Sequence, residues 1–296
     1  MKIFILTTFI YFTGFFPIAL ANNCKPENEP NINCKINVAD IRPTQFSVGA
    51  VAVSCKAEKI ANKSNKKLSK YLNKRKNRVP AVIGPDGYFY ITDRHHLVSA
   101  LYKVKSDMTD ININVIDSYY KSRISWAEFW HIMQAKNQSY NYDNKGQEHM
   151  NFALLPKDMG NLLNDPYRTL SRWVRESCGY LKKGKKQCDN IRPSPAHKAP
   201  FFMEFYWADF FRQHLPLTIK DIQICKSIPY SSLCFDNEVK QLKELYDKAM
   251  QLAVSDKAKN YFIDKGLDPE TYGFHTDNKK FIEIQWGGNQ NACDNP

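Results

Sequence analysis

The chain has 296 residues, and its 42 Lys and Arg against 30 Asp and Glu give a formal net charge of +12. This length suits one large domain or two small ones. Beyond the N-terminal segment, no stretch of the sequence reaches the run of about 18 apolar residues that a membrane-spanning helix needs, which excludes a second membrane span.

The first 21 residues are typical of a secretory signal peptide. Lys2 is a minimal basic segment, Ile3 to Phe16 is apolar, and Ala19-Leu20-Ala21 fits an A-x-A cleavage site. An uncleaved membrane anchor is the alternative, but the apolar segment is short for a span and is followed by Pro17. We therefore predict an exported protein, periplasmic or secreted, whose mature chain starts near Asn22.

All eight cysteines follow the predicted cleavage site, and an even number in an exported chain favours disulfides. The sequence has no C-x-x-C pair, so zinc binding has little support. Sequence alone cannot choose among the many pairings, and we pair near neighbours and join the two cysteines that remain. The predicted disulfides are Cys24–Cys34, Cys178–Cys188, Cys225–Cys234 and Cys55–Cys293.

A compact α/β domain is predicted over residues 22–120. Residues 22–40 form a polar leader rich in Asn, Pro and Cys, and two helices are expected near residues 57–73 and 94–104. Apolar, aromatic and β-branched runs predict the strands. These strands are Phe46 to Ser54, Ala81 to Ile83, Tyr88 to Ile91 and Ile111 to Ile116.

The first of these helices lies in a strongly basic segment. Lys56 to Arg78 holds eight Lys and two Arg against a single acidic residue, Glu58. Such a run could attract nucleic acid or an acidic surface. We favour the solvated face of a helix, because the segment also has an apolar stripe made of Ile60, Leu68, Tyr71 and Leu72.

The segment from Val79 to Leu101 predicts a strand, a tight turn, a second strand and a helix. Gly84-Pro85-Asp86-Gly87 is a dense turn signal, and the polar residues from Thr92 to His96 stand where the second strand gives way to the helix. A helix N-terminus presents free N–H groups and a partial positive charge, which suit a phosphate or a carboxylate. The sequence therefore predicts the functional site at this junction.

Asp93, His95 and His96 are the candidate catalytic groups. Asp93 could orient a histidine, bind a metal, act as a general base, or only cap the helix. Adjacent helical residues point about 100° apart, so we expect one histidine to face the ligand and the fold to hold the other. No metal is assigned, although a divalent ion is compatible with the site. The predicted phosphate-binding residues nearby are Thr92, Arg94, Gln45 and Lys56.

After residue 120 the patterns become helical, and residues 121–296 are predicted as a helical region packed on the α/β domain. Ser125 and Glu128 form a capping box, and Asp165 followed by Pro166 opens another helix that ends near Gly179. The chain is therefore predicted to be an α+β protein. Further helices are expected over Pro200 to His214, over Asn237 to Val254, and before Gly266.

Arg168, Arg172 and Arg175 fall at i, i+4 and i+7, on one face of the helix that Asp165 opens. Three guanidinium groups on one side require anions, which are either a phosphate ligand or carboxylates. Glu204 and Asp209 are candidate partners in an aromatic helix. We favour a salt-bridge network between the two helices and keep a ligand-facing role for Arg168 and Arg172 as the alternative.

Four blocks resemble the ParB-like nuclease family, a branch of the ParB/sulfiredoxin superfamily. The most specific is GPDGYFYITDRHHLVSAL; the others are Arg42-Pro43-Thr44-Gln45 with Val48-Gly49, Asp165 to Leu170, and Glu204 to Asp209. Together they span roughly residues 41–265. The resemblance implies a small mixed sheet with helices around a phosphate-binding loop.

The same comparison argues against two activities of the superfamily. Sulfiredoxin chemistry uses a cysteine in this loop, and Thr92 to His96 contains none. Partition proteins have a Gly-Glu-Arg-Arg-like loop and a DNA-binding helix-turn-helix, which this chain lacks. Three functions then remain, all with a phosphate-containing partner, nucleic acid or nucleotide among them. They are, in order of preference, an exported nuclease or phosphodiesterase, a non-catalytic binding module for a phosphorylated ligand, and a nucleotide-dependent phosphotransferase. The oligomeric state stays open.

Overall fold

The structure is a computed structural model that describes residues 23–105, 109–181, 202–217 and 232–275, together with Cys293. The predicted signal peptide lies outside these residues, so it stays a prediction, as does the division at residue 120. Over the described residues the chain combines a mixed sheet with α-helices. The predicted α+β class is confirmed.

Over the described residues, five strands form the main sheet, in the order β1-β6-β4-β5-β2, and two short strands, β3 and β7, pair separately. β4 and β5 are antiparallel, as the turn signal between them predicted, while β4 and β6 are parallel. β1 is antiparallel to β6, and β2 is parallel to β5. The strands are β1 (Asn33–Asn37), β2 (Ile41–Arg42), β3 (Ser47–Val48), β4 (Val79–Ile83), β5 (Phe89–Ile91), β6 (Asp110–Ser118) and β7 (Leu163–Asn164).

The helices begin where the sequence supplies capping groups. Ser125 and Glu128 form the predicted capping box at the start of α4, and the side chain of Asp165 accepts the N–H of Tyr167 at the start of α5. The helices are α1 (Ala50–Ala61), α2 (Asn65–Leu72), α3 (His95–Lys105), α4 (Trp126–Ala135), α5 (Pro166–Glu176), α6 (Met203–His214), α7 (Ser232–Ala253) and α8 (Asp256–Asp264).

Helix α1 replaces most of a predicted strand. The expectation of a strand over Phe46 to Ser54 is wrong beyond Val48, because the chain turns at Gly49 into a helix. Short apolar runs do not distinguish a strand from a buried helix. Both faces of α1 are buried: Val51 contacts the core among the C-terminal helices, while Val53 contacts the core beside the sheet. The first half of α1, which lies between the two cores, is therefore apolar on both faces, while Glu58 and Lys59 in its second half are exposed.

Two further expectations are corrected. The single helix expected near residues 57–73 is two helices, because Ser64 caps α2 and its hydroxyl accepts the N–H of Lys67. The polar leader of residues 22–40 contains an edge strand, β1. Its buried anchor is Cys34, which is 1% exposed and disulfide-bonded to Cys24. A disulfide thus holds a segment whose composition indicated no strand.

Two predicted disulfides are confirmed, Cys24–Cys34 and Cys55–Cys293. The second ties the C-terminal segment to α1. Cys178 is disulfide-bonded as well, but its predicted partner Cys188 lies outside the described residues, as do Cys225 and the side chain of Cys234. None of the helices over the described residues combines the length and the apolar composition that a membrane span requires.

Candidate functional site

A cavity of about 420 Å³ opens at the N-terminus of α3, between α1, α5 and α6. All nine residues that the sequence singled out as catalytic or phosphate-binding line it. Six further residues complete the described wall. The nine are Gln45, Lys56, Thr92, Asp93, Arg94, His95, His96, Arg168 and Arg172, and the six are Leu97, Arg175, Phe202, Met203, Glu204 and Phe205.

The loop between β5 and α3 forms the floor of the cavity. Arg94 has a φ of 70°, in the left-handed region that a residue with a side chain seldom adopts. Its carbonyl accepts the N–H groups of Leu97 and Val98, so it caps α3, while Asp93 Oδ1 accepts the N–H of Arg94 at 2.6 Å. Strain of this kind costs about 1–3 kcal/mol and concentrates at functional sites.

His95 is held by the fold and is neutral. Its Nε2 accepts the backbone N–H of Thr44 at 3.3 Å, and it is 4% exposed. The hydroxyl of Thr44 donates to the carbonyl of Ile91 at 2.7 Å. Burial, with the charge of Arg168, lowers the pKa of His95 to about 3. Since Nε2 is an acceptor, the ring proton is on Nδ1.

His96 is held in the same way from a different element. Its Nε2 accepts the N–H of Gly49 at 3.2 Å. Gly49 lies so close to α5 that an added Cβ would stand 2.7 Å from Thr169 Oγ1. The close approach of α5 to this position therefore requires glycine. Burial, and then the charges of Arg168, Lys56 and Arg172, lower the pKa of His96 well below its usual value. The structure therefore holds both imidazoles, where the sequence analysis expected the fold to hold one.

Glu204 joins α6 to the arginine face of α5. Its carboxylate pairs with Arg175, and its Oε2 lies 3.6 Å from Arg168 Nη2. The guanidinium of Arg168 also stacks on the ring of Phe205, 3.3 Å from its centroid. Asp209, the other carboxylate expected here, pairs instead with Arg212 at 3.1 Å. The helix-to-helix network predicted from the sequence thus runs through Glu204.

Lys56 and Arg172 have no carboxylate within ion-pair distance among the described residues. Burial, and then the neighbouring Arg172 and Arg94, lower the pKa of Lys56 to about 8. Burial, and then Arg175, lower the pKa of Arg172 to about 10. Five cationic side chains line the described wall against two carboxylates there, Asp93 and Glu204, and Arg175 also pairs with Glu176 at 2.5 Å. The cavity therefore carries a positive charge that the described side chains leave uncompensated.

Two buried polar groups at this site also lack a partner among the described residues. Thr92 is 2% exposed, and its Oγ1 makes no hydrogen bond there. The same holds for Nε and Nη1 of Arg168, which is 5% exposed. Gln45 differs, because its amide donates to the carbonyl of Ser47 at 2.6 Å. Unpartnered buried donors beside an excess of positive charge are suited to an anion.

The apolar wall is the part of the site that sequence reasoning missed. Leu97, Phe202, Met203 and Phe205 line the cavity, and an aromatic-rich helix had been expected over Pro200 to His214 without a ligand-facing role for its rings. The signal in the sequence was the position of Phe202, Met203 and Phe205 directly beside Glu204, at the start of the helix expected to meet the arginine face. Within the described segments, no group of three or more His, Cys, Asp or Glu side chains is arranged to hold a metal ion.

The comparisons with known proteins concern the region that carries this cavity. A family described as "Putative ParB-like nuclease" matches residues 34–213, which include every described residue of the wall. Protein Atu1540 from Agrobacterium tumefaciens, known from a crystal structure, is 28% identical with a TM-score of 0.55. The alignment covers 77% of this chain and 94% of that chain. No curated protein matches this chain significantly.

Proposed function

Because the chain belongs to the ParB-like nuclease family, we propose that it is an exported protein that binds a phosphate-containing ligand at the N-terminus of α3 and hydrolyses a phosphodiester bond there. The observation that carries the proposal is a pair of cations beside the start of α3, Lys56 and Arg172, which have no carboxylate partner among the described residues. Disulfides support export, because they persist in oxidising compartments.

The cavity offers a phosphate group three kinds of donor. The first N–H groups of α3, at His95 and His96, have no intrahelical partner, as at any helix start. Arg172 supplies a planar fork of donors for phosphate oxygens. Thr92 Oγ1 supplies a hydroxyl without a described partner. The single negative charge of a phosphodiester, and the two charges of the monoester product, would offset part of the excess charge of the wall.

Asp93 is the group best suited to activate water. Its side chain is 56% exposed, and it stands at the mouth of the loop with one oxygen on the N–H of Arg94. The carboxylate would take a proton from the water that attacks phosphorus, while the guanidinium groups stabilise the charge that develops on the phosphoryl oxygens. The histidines, whose Nε2 atoms already accept backbone N–H groups, would donate hydrogen bonds from Nδ1 and would not transfer a proton.

A non-catalytic binding module is the second candidate. The observation that favours it is the engagement of both imidazoles with backbone N–H groups, which leaves the site with Asp93 as its clearest base. Such a module would bind the same phosphorylated ligand in the same cavity. The two functions differ only in whether the bound ester is cleaved.

Two measurements on the full mature chain test the proposal. Titration calorimetry with pyrophosphate should give binding that falls at least about tenfold in Arg172→Met, while Arg123→Met, an exposed arginine outside the cavity, should bind as the wild type does. Hydrolysis of bis(p-nitrophenyl) phosphate, followed with and without added divalent ions, should be lost in Asp93→Asn. Binding without hydrolysis would favour the module, and no binding would refute the anion site.

A further inference from the structure

The cavity needs a proton donor that its histidines do not supply. Breaking the ester bond leaves a charged oxygen that must be protonated unless the leaving group is very acidic. Each imidazole uses Nε2 to accept a backbone N–H. For either ring to take up and give back a proton at Nε2, the hydrogen bond from the backbone N–H group would have to break, and that group would be left without its acceptor.

Lys56 stands in the same cavity with different chemistry. Its ammonium lies on α1 and faces charged groups from every element around it, and within the described residues it forms no ion pair or hydrogen bond. Guanidinium groups do not release protons near neutral pH, whereas an ammonium does when it is desolvated and surrounded by cations. The groups whose charges act on it or that it acts on are Asp93, Arg94, His96, Arg172 and Arg175, and Glu204 lines the same cavity from α6.

We infer that Lys56 is the proton donor to the leaving oxygen, an assignment that rests on the proposed phosphodiester hydrolysis. Water adds its oxygen to phosphorus and gives a proton to Asp93. The electron pair of the breaking P–O bond goes to the leaving oxygen, which takes a proton from Lys56 Nζ. Solvent then carries the proton from Asp93 back to Lys56. The net reaction consumes one water and yields a phosphate monoester and an alcohol.

The surroundings of Lys56 match this role. Burial, reinforced by Arg172 and Arg94, lowers its pKa to about 8, which is near the operating pH that favours general acid catalysis. The negative charge of the bound phosphodiester would raise the pKa of the neighbouring ammonium and so keep Lys56 protonated. The proton would then be present when the leaving oxygen needs it.

The first test measures the titration of the Lys56 amino group and does not depend on catalysis. Lysines of the mature protein are reductively methylated with ¹³C-formaldehyde, and each dimethylamine resonance is titrated by NMR. One resonance should titrate near pH 8, should be absent from Lys56→Arg, and should move to higher pH when pyrophosphate is added. Lys66→Arg, an exposed lysine on α2, serves as the matched control. Titration of Lys56 together with the exposed lysines would overturn the assignment.

The second test varies the leaving group. Lys56→Arg keeps the positive charge and should keep pyrophosphate affinity within about twofold. It should lower kcat by roughly 100-fold for an alkyl ester, whose leaving oxygen needs a proton, and by much less for a p-nitrophenyl ester, whose leaving group does not. Equal losses for both esters, or none, would overturn the proton-donor role alone. If the wild type cleaves neither ester, the proposed hydrolysis fails and this assignment fails with it.

Discussion

Two arginine clusters lie within the described helices of this protein, and they differ in how their charge is balanced. Arg212 has two carboxylates, with Asp165 at 2.7 Å and Asp209 at 3.1 Å. Although burial works against its charge, these carboxylates raise the pKa of Arg212. In the cavity, burial and then neighbouring Arg175 lower the pKa of Arg172 to about 10.

The difference separates a structural network from a ligand site. A buried arginine that has its own carboxylates gains little from an added anion, because its charge and its donors are already satisfied. Arg168, by contrast, shares Glu204 with Arg175, and Arg172 has no described carboxylate. The number of carboxylates per guanidinium therefore indicates which cluster is complete and which is suited to a ligand.

The largest expected effect is on the complete cluster. Arg212→Met leaves Asp165, which is 2% exposed, without its cation, and should lower the free energy of unfolding by about 3–5 kcal/mol. Urea unfolding measures this loss, with Arg123→Met as a control that should change stability by less than about 0.5 kcal/mol. Equal stability of the two variants would show that the Arg212 cluster is not a structural network.

Acid should lower the free energy of unfolding through the neutral histidines of the cavity, which the Arg212 cluster lacks. The folded pKa of His95, about 3, lies below its unfolded value of 6.5, so its contribution to stability is complete above pH 6.5 and is lost as the pH falls toward 3. The expected slope is about 1.4 kcal/mol per pH unit for each such histidine. Urea unfolding of His95→Asn at several pH values should show a shallower slope than the wild type. Parallel slopes would contradict a buried neutral His95.

Removing the charge of Glu204 should increase the excess of positive charge in the cavity. Glu204→Gln leaves Arg168 and Arg175 with less negative charge, and should raise pyrophosphate affinity about tenfold while it lowers stability by about 1–3 kcal/mol. Calorimetry and urea unfolding measure the two effects. Asp209→Asn is the matched change in the Arg212 cluster and should lower stability without a gain in affinity. A similar gain in both variants would mean that affinity follows overall charge.

The smallest expected effect is on the pH dependence of anion binding. Sulfate keeps its charge from about pH 6 to pH 10, so a change in its affinity reflects the titration of a group on the protein. Because the pKa of Lys56 is lowered to about 8 by burial and by Arg172, affinity should fall up to about tenfold between about pH 7 and pH 9. Lys56→Arg should bind sulfate with no such dependence. Persistence of the decrease in that variant would assign it to another group.

Local chemistry determined much of the site in advance. The turn residues Gly84 to Gly87 predict the hairpin of β4 and β5, and helical spacing predicts α3 directly after it. Periodicity alone also puts Arg168, Arg172 and Arg175 on one face of α5. These features depend on residues a few positions apart, and the structure brings all nine singled-out residues to one cavity.

Other features depended on packing. Helix α1 has an apolar run that fits a strand equally well, and it is helical because two cores cover its opposite faces. Both histidine tautomers follow from Thr44 and Gly49, each more than 40 residues away along the chain. No local pattern indicates which backbone N–H will meet a given imidazole.

The sequence by itself determined which cations and carboxylates are present and on which helix face each lies, because helical periodicity is a local property. Only the tertiary structure decided their partners. Glu204 meets Arg168 and Arg175, Asp209 meets Arg212, and Lys56 meets no described carboxylate. Ion pairing depends on distances across elements that are far apart in the chain, and those distances exist only after the helices have packed.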